Sequence, residues 1–305
     1  MKAMVPTNTG GAGVALAEVD EPRPVPDEIV VAVDAYSVNR GETLLLERPA
    51  PGWRPGKDVA GVVTRAAASG TGPAVGDRVV AHPPYGGWAE RVAVPVTSVA
   101  RLPDTVGNET AAALPLAGLT ALRLVRAAGP LPGRRLLVTG ASGGVGHYTV
   151  ELAVAAGAEV TALSATPGRG GRLAELGAEV VHEVSDADGP FDVVLESVGG
   201  ATLAATLGRL VPGGLLVWFG QASREPATLD FFQFFDGPNE ALIRHFDYTR
   251  SDRTYAEDLE TLVRLVVEGR LHPEIGLVDD WTVTAEVLDL LRRRRVRGNA
   301  VLTLG

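Results

Sequence analysis

The sequence contains no cysteine, and this absence excludes several kinds of chemistry at once. Disulfide bonds, thiolate catalysis and cysteine-based zinc sites all need that residue. The histidines show no paired spacing typical of metal ligands, and core or surface roles suit each of them: His82, His147, His182, His245 and His272. We therefore expect chemistry without a metal.

Positive charge is also scarce. The chain has 28 Lys and Arg residues against 37 Asp and Glu, a net charge of −9, and its only lysines are Lys2 and Lys57. This balance argues against a nucleic-acid surface and offers no basic stripe to anionic lipid. The N-terminal stretch lacks the apolar core of a signal peptide, and no apolar run reaches membrane-spanning length. The expectation is a cytoplasmic protein with a small-molecule substrate and no nucleic-acid or membrane partner.

The most informative stretch runs from Leu136 to Ala153 and reads LLVTGASGGVGHYTVELA. An apolar run typical of a buried parallel strand leads into a glycine cluster, after which apolar residues return at helical spacing. Such a turn directs backbone N–H groups and a helix N-terminus at one point, where a pyrophosphate fits. The spacing is G-x-x-G-G-x-G rather than G-x-G-x-x-G, so an ordinary strand–helix turn is the alternative. The predicted cofactor-binding residues of the turn are Gly140, Ser142, Gly143, Gly144, Val145 and Gly146.

At 305 residues, the chain is long enough for two domains. Before residue 110 the pattern predicts short strands in a partly closed antiparallel barrel, at Glu28–Val38, Val59–Ala67, Arg78–His82 and Trp88–Val94. Asn108 is the predicted cap of a helix that starts at Glu109, and a second helix is predicted over Ala117–Ala128. From Arg134 onward strands and helices alternate, which predicts an α/β fold with a doubly wound parallel sheet. Its strands are predicted at 135–139, 159–164, 179–184, 191–196 and 214–219, with a sixth near 241–246.

Seven strings in order resemble the medium-chain dehydrogenase/reductase superfamily, in its zinc-free quinone oxidoreductase (ζ-crystallin-like) branch. The strings cover nearly the whole chain: Val38-Asn39, PGKDVAGVV from Pro55, GDRV from Gly76, GGWAE from Gly86, LAGLTA from Leu116, the Gly140–Gly146 turn and RGNAVL from Arg297.

The resemblance implies a Rossmann domain beside a GroES-like β-barrel catalytic domain, with the active site in the cleft between them. Residues 1–115 and 251–305 would form the catalytic domain, and 116–250 the NADP-binding domain. The activity implied is zinc-independent transfer of a hydride from NADPH to a quinone or an α,β-unsaturated carbonyl compound. Relatives commonly form homodimers through the sixth strand, so a homodimer is expected.

The choice of cofactor depends on the end of the second Rossmann strand. NAD sites usually have Asp or Glu there, whereas this chain has no Asp or Glu between the end of that strand and Glu175. Arg169 stands where related reductases place a basic ligand, and a guanidinium with nearby hydroxyls suits the 2′-phosphate of NADPH. Ser164 and Thr166 are its predicted partners, and a solvated arginine is the alternative. By resemblance, further cofactor contacts are Thr120, Ser197, Val198, Phe219, Gly220 and Asn299.

The predicted catalytic residues are Asn39, Glu42 and Tyr36. The family places an asparagine at Asn39, facing the nicotinamide, and the alternative is an asparagine that bonds its own turn. Glu42 is near the position of a family aspartate, or else is a solvated loop carboxylate. Tyr36 and Tyr85 are candidate hydrogen-bond donors, with packing as the alternative for each.

Two other functions remain open: an enoyl-thioester reductase of a biosynthetic pathway, and a low-turnover NADPH-binding sensor or structural protein. The aromatic cluster Phe231–Phe235 suits burial, a substrate pocket wall or a subunit interface.

Overall fold

The computed structural model describes residues 1–7 and 13–305, with the side chain of Pro167 outside that description. The chain divides into two compact units, one formed by Met1–Leu119 with Asp252–Gly305 and the other by Thr120–Ser251. The predicted roles of these stretches in catalysis and cofactor binding stay predictions.

The elements follow in chain order: β1 (Lys2–Pro6), β2 (Val14–Glu18), β3 (Glu28–Val38), α1 (Arg40–Leu45), β4 (Val59–Arg65), β5 (Arg78–Ala81), β6 (Arg91–Pro95), β7 (Val99–Arg101), α2 (Asn108–Ala112), α3 (Pro115–Ala127), β8 (Arg135–Val138), α4 (Gly144–Ala155), β9 (Glu159–Leu163), α5 (Gly171–Glu175), β10 (Glu179–Val181), β11 (Phe191–Glu196), α6 (Gly200–Leu207), β12 (Leu210–Trp218), β13 (Leu242–His245), α7 (Tyr255–Val267), β14 (Ile275–Asp280), α8 (Thr284–Arg292) and β15 (Asn299–Thr303).

The first unit is built on a seven-stranded sheet of order β14-β15-β3-β4-β5-β7, with β6 also paired to β3. Strand β3 is central because its 11 residues pair antiparallel with β15, β4 and β6. Val and Ile dominate its buried positions, as expected for a strand covered on both faces. The core beneath it includes the fully buried rings of Trp88 and Tyr36, stacked with centroids 5.7 Å apart.

The second unit is a six-stranded parallel sheet of order β10-β9-β8-β11-β12-β13. The chain starts at β8, proceeds outward to β10, then returns to β11 and proceeds the other way. This reversal between β8 and β11 is a topological switch point, and ligands of such sheets bind outside the carboxyl ends of the strands there. Leu136, Leu137 and Val138 are fully buried, so the turn after β8 rests on a rigid core.

The predicted fold class is confirmed: a doubly wound Rossmann sheet stands with a GroES-like sheet unit. The β3 prediction matches its observed bounds. Other boundaries need correction. Asn108 is the first residue of α2 rather than its cap, β12 begins at Leu210, and the strand expected over 88–94 covers Arg91–Pro95. The strands β1, β2, β7 and β14 and the short helix α1 were not predicted.

Candidate functional site

The glycine turn connects β8 to α4 and is shaped by contacts that exclude side chains. Gly140 has a positive φ of 62°, which favours glycine. A Cβ added at Gly146 would lie 2.3 Å from the Ala141 carbonyl oxygen. Gly143 precedes the first turn of the 12-residue helix α4, so the N–H groups of Gly144 and Val145 belong to its N-terminus. This is a cradle for an anion, and the residues present fit a dinucleotide pyrophosphate.

Two hydrogen bonds, both donated by Ser197 to Thr139, connect the loop after β11 to this turn. Ser197 N donates to Thr139 Oγ1 at 2.8 Å, and Ser197 Oγ donates to the Thr139 carbonyl oxygen at 3.1 Å. Glu196 Oε1 also accepts from Val198 N at 2.8 Å and from Thr139 Oγ1 at 3.2 Å. Burial raises the pKa of Glu196, while its backbone donors act in the opposite direction. The structure therefore brings the predicted residues Gly140, Ser197 and Val198 together at the switch point.

Gly220 belongs to the same place, because a Cβ there would lie 2.9 Å from the Ser197 carbonyl oxygen. Phe219 N donates to the Glu196 carbonyl oxygen at 2.9 Å. The two predicted segments after β11 and β12 are thus held against each other.

Arg169 lies beside the glycine turn. Its Nη2 donates to the Ser142 carbonyl oxygen at 3.4 Å, and its backbone N donates to the Thr166 carbonyl oxygen at 3.0 Å. Ser164, buried at the end of β9, donates from Oγ to the same Thr166 oxygen at 3.4 Å. The three residues predicted for a 2′-phosphate therefore form one cluster next to the glycine turn. Its side-chain groups are hydroxyls and a guanidinium, which suits an anionic ligand.

A cavity of about 160 Å³ opens at the carboxyl ends of β12 and β13. Thr120 and Phe219, both predicted as cofactor contacts, lie in its wall. The other lining residues follow or end β13 and were not predicted: His245, Phe246, Asp247 and Tyr248.

In the first unit, Asp58 is the centre of a buried polar cluster, and its side chain has 0% exposure. Its Oδ2 accepts from Asn39 Nδ2 and from Ser37 Oγ, each at 2.6 Å. Its Oδ1 accepts from Leu116 N at 2.9 Å and lies 3.3 Å from His82 Nδ1. Charge-assisted bonds of this kind fix the orientation of each partner.

The Asn39 amide nitrogen also lies 3.3 Å from Ser37 Oγ, so both of its hydrogens are engaged within the cluster. Asn39 also precedes helix α1, where its main-chain oxygen accepts from Glu42 N at 3.1 Å. The residue is buried, and its amide N–H groups are already used by protein acceptors.

Glu42 is buried, which corrects the alternative of a solvated loop carboxylate. Its Oε2 accepts from Asn39 N at 3.1 Å and its Oε1 from Gly56 N at 2.8 Å. Burial, and next the charge of Asp58, raises the pKa of Glu42 to about 8. This carboxyl group therefore joins the start of α1 to the segment that carries Asp58.

Tyr36 is buried in the core, and its hydroxyl lies 2.6 Å from Thr284 Oγ1. Burial raises its pKa, with the bond to Thr284 acting against that shift. This arrangement favours the packing alternative, and the catalytic role of Tyr36 stays a prediction. Tyr85, by contrast, is 55% exposed.

Asn299 belongs to the first unit, where its N and Nδ2 donate to the Glu274 carbonyl oxygen at 2.8 and 3.1 Å. Its predicted role toward the cofactor stays a prediction. The aromatic cluster forms a 3₁₀ turn in the second unit, and Phe231, Phe232 and Phe235 are 69%, 73% and 61% exposed. These three rings are not core residues of the described chain, so they are not buried within it, and the pocket-wall and subunit-interface alternatives stay open.

Within residues 1–7 and 13–305, no group of three or more His, Asp or Glu side chains is arranged to hold a metal ion. Nor is any helix of that part long and apolar enough to cross a membrane.

Sequence reasoning missed Asp58, Glu196 and Thr139 as members of these clusters. Asp58 stands inside one of the strings that carry the resemblance, and Glu196 ends a Rossmann strand. Those positions were the available signals. Their long-range partners, 19 to 58 residues away, are visible only in the fold.

Comparison with known families gives two matches. A model described as zinc-binding dehydrogenase matches residues 144–268, and one described as alcohol dehydrogenase GroES-like domain matches residues 25–104.

Individual relatives extend over the whole chain. A probable quinone oxidoreductase of Schizosaccharomyces pombe is 33% identical over 317 residues, covering 97% of this chain and 95% of that protein. The polyketide synthase GfsB of Streptomyces halstedii is 35% identical over 292 residues, or 91% of this chain, but the chain spans only 5% of the synthase. The structure of mycobacterial Rv1454c complexed with NADPH superposes with a TM-score of 0.89 at 25% identity, covering 100% of each chain.

Proposed function

Because this chain belongs to the zinc-free quinone oxidoreductase branch of the medium-chain dehydrogenase/reductase superfamily, we propose that it is an NADPH-dependent reductase acting on a quinone or an α,β-unsaturated carbonyl compound. The observation that carries the proposal is the cluster of Arg169, Ser164 and the glycine turn, in a chain 33% identical to a probable quinone oxidoreductase along nearly its full length.

The second unit would hold the cofactor. The Gly140–Gly146 turn offers N–H groups to the pyrophosphate, and Arg169 with Ser164 and Thr166 offers donors to the 2′-phosphate. No carboxylate occurs between the end of β9 and Glu175 to repel that phosphate. When bound, NADPH supplies the hydride, and the protein supplies orientation and exclusion of water.

In the first unit, Asn39 is the proposed polar contact to the reacting groups, as the family resemblance implies. Its amide N–H groups are engaged by Asp58 and Ser37, so Asn39 is not the proposed proton donor. Glu42 and Asp58 touch Asn39 directly, and we assign them as positioning residues. Holding reacting groups and their contact residues in a fixed orientation can supply a large part of an enzyme's rate enhancement.

We further propose that the protein is a homodimer joined through β13. Among the described residues this strand pairs with β12 alone and forms an edge of the six-stranded sheet. All four of its residues are exposed, including the apolar side chains of Leu242 and Ile243. An apolar edge strand with free backbone groups is a template for pairing with another strand.

A second candidate is an enoyl-thioester reductase. The 35% identity to the polyketide synthase GfsB over 292 residues favours it. Both candidates use the same cofactor site and differ in the acceptor.

The test is an acceptor panel with NADPH, and NADH as the cofactor control. The panel contains 9,10-phenanthrenequinone, 1,4-benzoquinone, a simple enone and crotonyl thioester. Quinone-dependent or enone-dependent turnover selective for NADPH supports the first proposal, whereas turnover of the thioester alone supports the second. NADPH binding with no turnover on any acceptor contradicts both and supports a sensor.

A further inference from the structure

Arg123 is a buried cation in an apolar helix. It lies in α3 between Leu122 and Leu124, and only 5% of its surface is exposed. A guanidinium stays charged in proteins, so burial is costly unless hydrogen-bond acceptors surround it. One acceptor is distant in sequence: Nη1 donates to the Tyr248 carbonyl oxygen at 2.6 Å, across 125 positions of the chain.

The segment that Arg123 holds is a wall of the cavity at β12 and β13. Phe246, Asp247 and Tyr248 line that cavity, and so does Thr120, which precedes Arg123 by three positions. Residues three apart lie on the same face of a helix. One face of α3 therefore lines the cavity directly through Thr120 and holds a second wall in place through Arg123.

Other hydrogen bonds also hold this wall. Phe246 N donates to the Trp218 carbonyl oxygen at 2.9 Å, which continues the sheet. Asp247 Oδ1 accepts from Thr249 N and Oγ1 at 2.9 and 2.8 Å, and these bonds lower the pKa of Asp247. The bond from Arg123 fixes the Tyr248 carbonyl group, and with it the orientation of the Tyr248 peptide unit.

The cavity lies where the far end of a bound dinucleotide is expected. The pyrophosphate turn follows β8, and the order β8-β11-β12-β13 places the cavity two to three strands farther along the same edge. At the usual strand spacing this is about 12 Å. Three of its lining residues are aromatic, Phe219, Phe246 and Tyr248, and aromatic side chains offer flat apolar surface to an aromatic heterocycle.

We propose that Arg123 is a positioning residue that holds the Phe246–Tyr248 wall in place for the nicotinamide end of the cofactor. The inference rests on the proposed NADPH-dependent function. It predicts that loss of Arg123 affects only the nicotinamide end of cofactor binding and leaves the adenosine end intact.

The test compares two ligands by calorimetry on the full chain. NADPH reports on both ends of the site, whereas 2′,5′-ADP reports only on the adenosine end. The variants are Arg123→Met, Arg123→Lys, which keeps a donor, and Arg126→Met, a control at an exposed arginine one turn farther along the same helix. If the Arg123→Met chain does not fold, Arg123→Gln, a neutral side chain of shorter reach, takes its place.

Arg123→Met is expected to weaken NADPH binding about tenfold, the scale of one lost hydrogen bond to a charged group, with 2′,5′-ADP affinity unchanged. Arg123→Lys should recover part of that loss, and Arg126→Met should match the wild type. Equal weakening of both ligands, or no change in NADPH affinity, overturns the inference. A wild-type protein that binds neither ligand would instead contradict the proposed function, so the two failures are distinguishable.

Discussion

Asp58 holds the side chain of Asn39 by a 2.6 Å hydrogen bond from Asn39 Nδ2 to Asp58 Oδ2, with both residues buried. The same carboxylate receives bonds from Ser37 and Leu116 and lies 3.3 Å from His82 Nδ1, so its two oxygens contact three separate segments of the first unit. Asn39, the proposed contact residue of this unit, is therefore oriented by a fully buried carboxylate.

Asp58→Asn should lower both stability and turnover. An asparagine can accept with only one oxygen, so its NH₂ group must face a donor, and we expect a loss of about 3 kcal/mol in the free energy of unfolding. Asp34→Asn is the matched control, because Asp34 accepts a single bond from Asn108 Nδ2 at 3.0 Å. Chemical denaturation measures the stability of both variants, and steady-state kinetics measure their kcat. Equal effects of the two substitutions would argue against a positioning role for Asp58.

Glu42 gives the stability a defined pH dependence. Its pKa is about 8 in the folded protein against an ordinary 4.5, so between these values the folded state holds a proton that the unfolded chain has released. The stabilisation is complete below pH 4.5 and is lost as the pH rises to 8. The free energy of unfolding should fall over this window.

Glu42→Gln should flatten that pH dependence, because the amide does not titrate. Glu175→Gln, an exposed carboxyl paired with Arg172, is the control and should leave it unchanged. Denaturation curves at several pH values provide the measurement. A wild-type stability that rises from pH 5 to 8 would contradict the assignment.

Arg169→Ala should raise the KM for NADPH by about tenfold or more while changing the KM for NADH little, because only NADPH has the 2′-phosphate. Arg172→Ala, which removes an arginine paired with Glu175, is the comparison. Steady-state kinetics with both cofactors decide the matter. Equal effects of Arg169→Ala on the two cofactors would remove this residue from the phosphate site.

Gly146→Ala should destabilise the turn by about 2 kcal/mol and abolish cofactor binding, because the new Cβ meets the Ala141 carbonyl oxygen at 2.3 Å. Gly171→Ala is the control, with no heavy atom within 4 Å of its added Cβ. Thermal unfolding and NADPH titration measure both effects. A stable Gly146→Ala protein that binds NADPH would contradict the proposed close approach.

Ile243→Lys tests the proposed dimer, because a charge on β13 opposes pairing of two edge strands. Val278→Lys places the same charge on β14, an edge strand of the other sheet, at a side chain 52% exposed. Light scattering should show a dimer for the wild type and Val278→Lys, and a monomer for Ile243→Lys. A wild-type monomer would contradict the proposal.

The sequence predicted the elements with strong local signals. Strand β3 has a long run of Val and Ile, and the glycine turn is bounded by an apolar strand and helix. Helix α1 was missed because its six residues include Gly41 and show no full amphipathic repeat. Strand β14 was missed because Asp279 and Asp280 interrupt its apolar pattern.

For the site residues too, prediction succeeded only where the signal was local in the sequence. Residues on one loop, such as Gly140 and Ser142, follow from local pattern, whereas Arg123 and Tyr248 meet across 125 positions and have no local signal. The contact between Tyr36 and Thr284 spans 248 positions, so the sequence offers packing as an alternative for Tyr36 but does not identify its partner.

The proposed function requires that the bound nicotinamide cofactor reduces an acceptor on this protein. The most direct measurement is a single-turnover reaction, in which the NADPH-loaded protein is mixed with 9,10-phenanthrenequinone and the nicotinamide absorbance is followed. We expect loss of that absorbance in proportion to bound NADPH, and a slower loss when the hydrogen transferred from C4 of the cofactor is deuterium. Bound NADPH that stays reduced in the presence of this quinone and of the enone and thioester acceptors would contradict it.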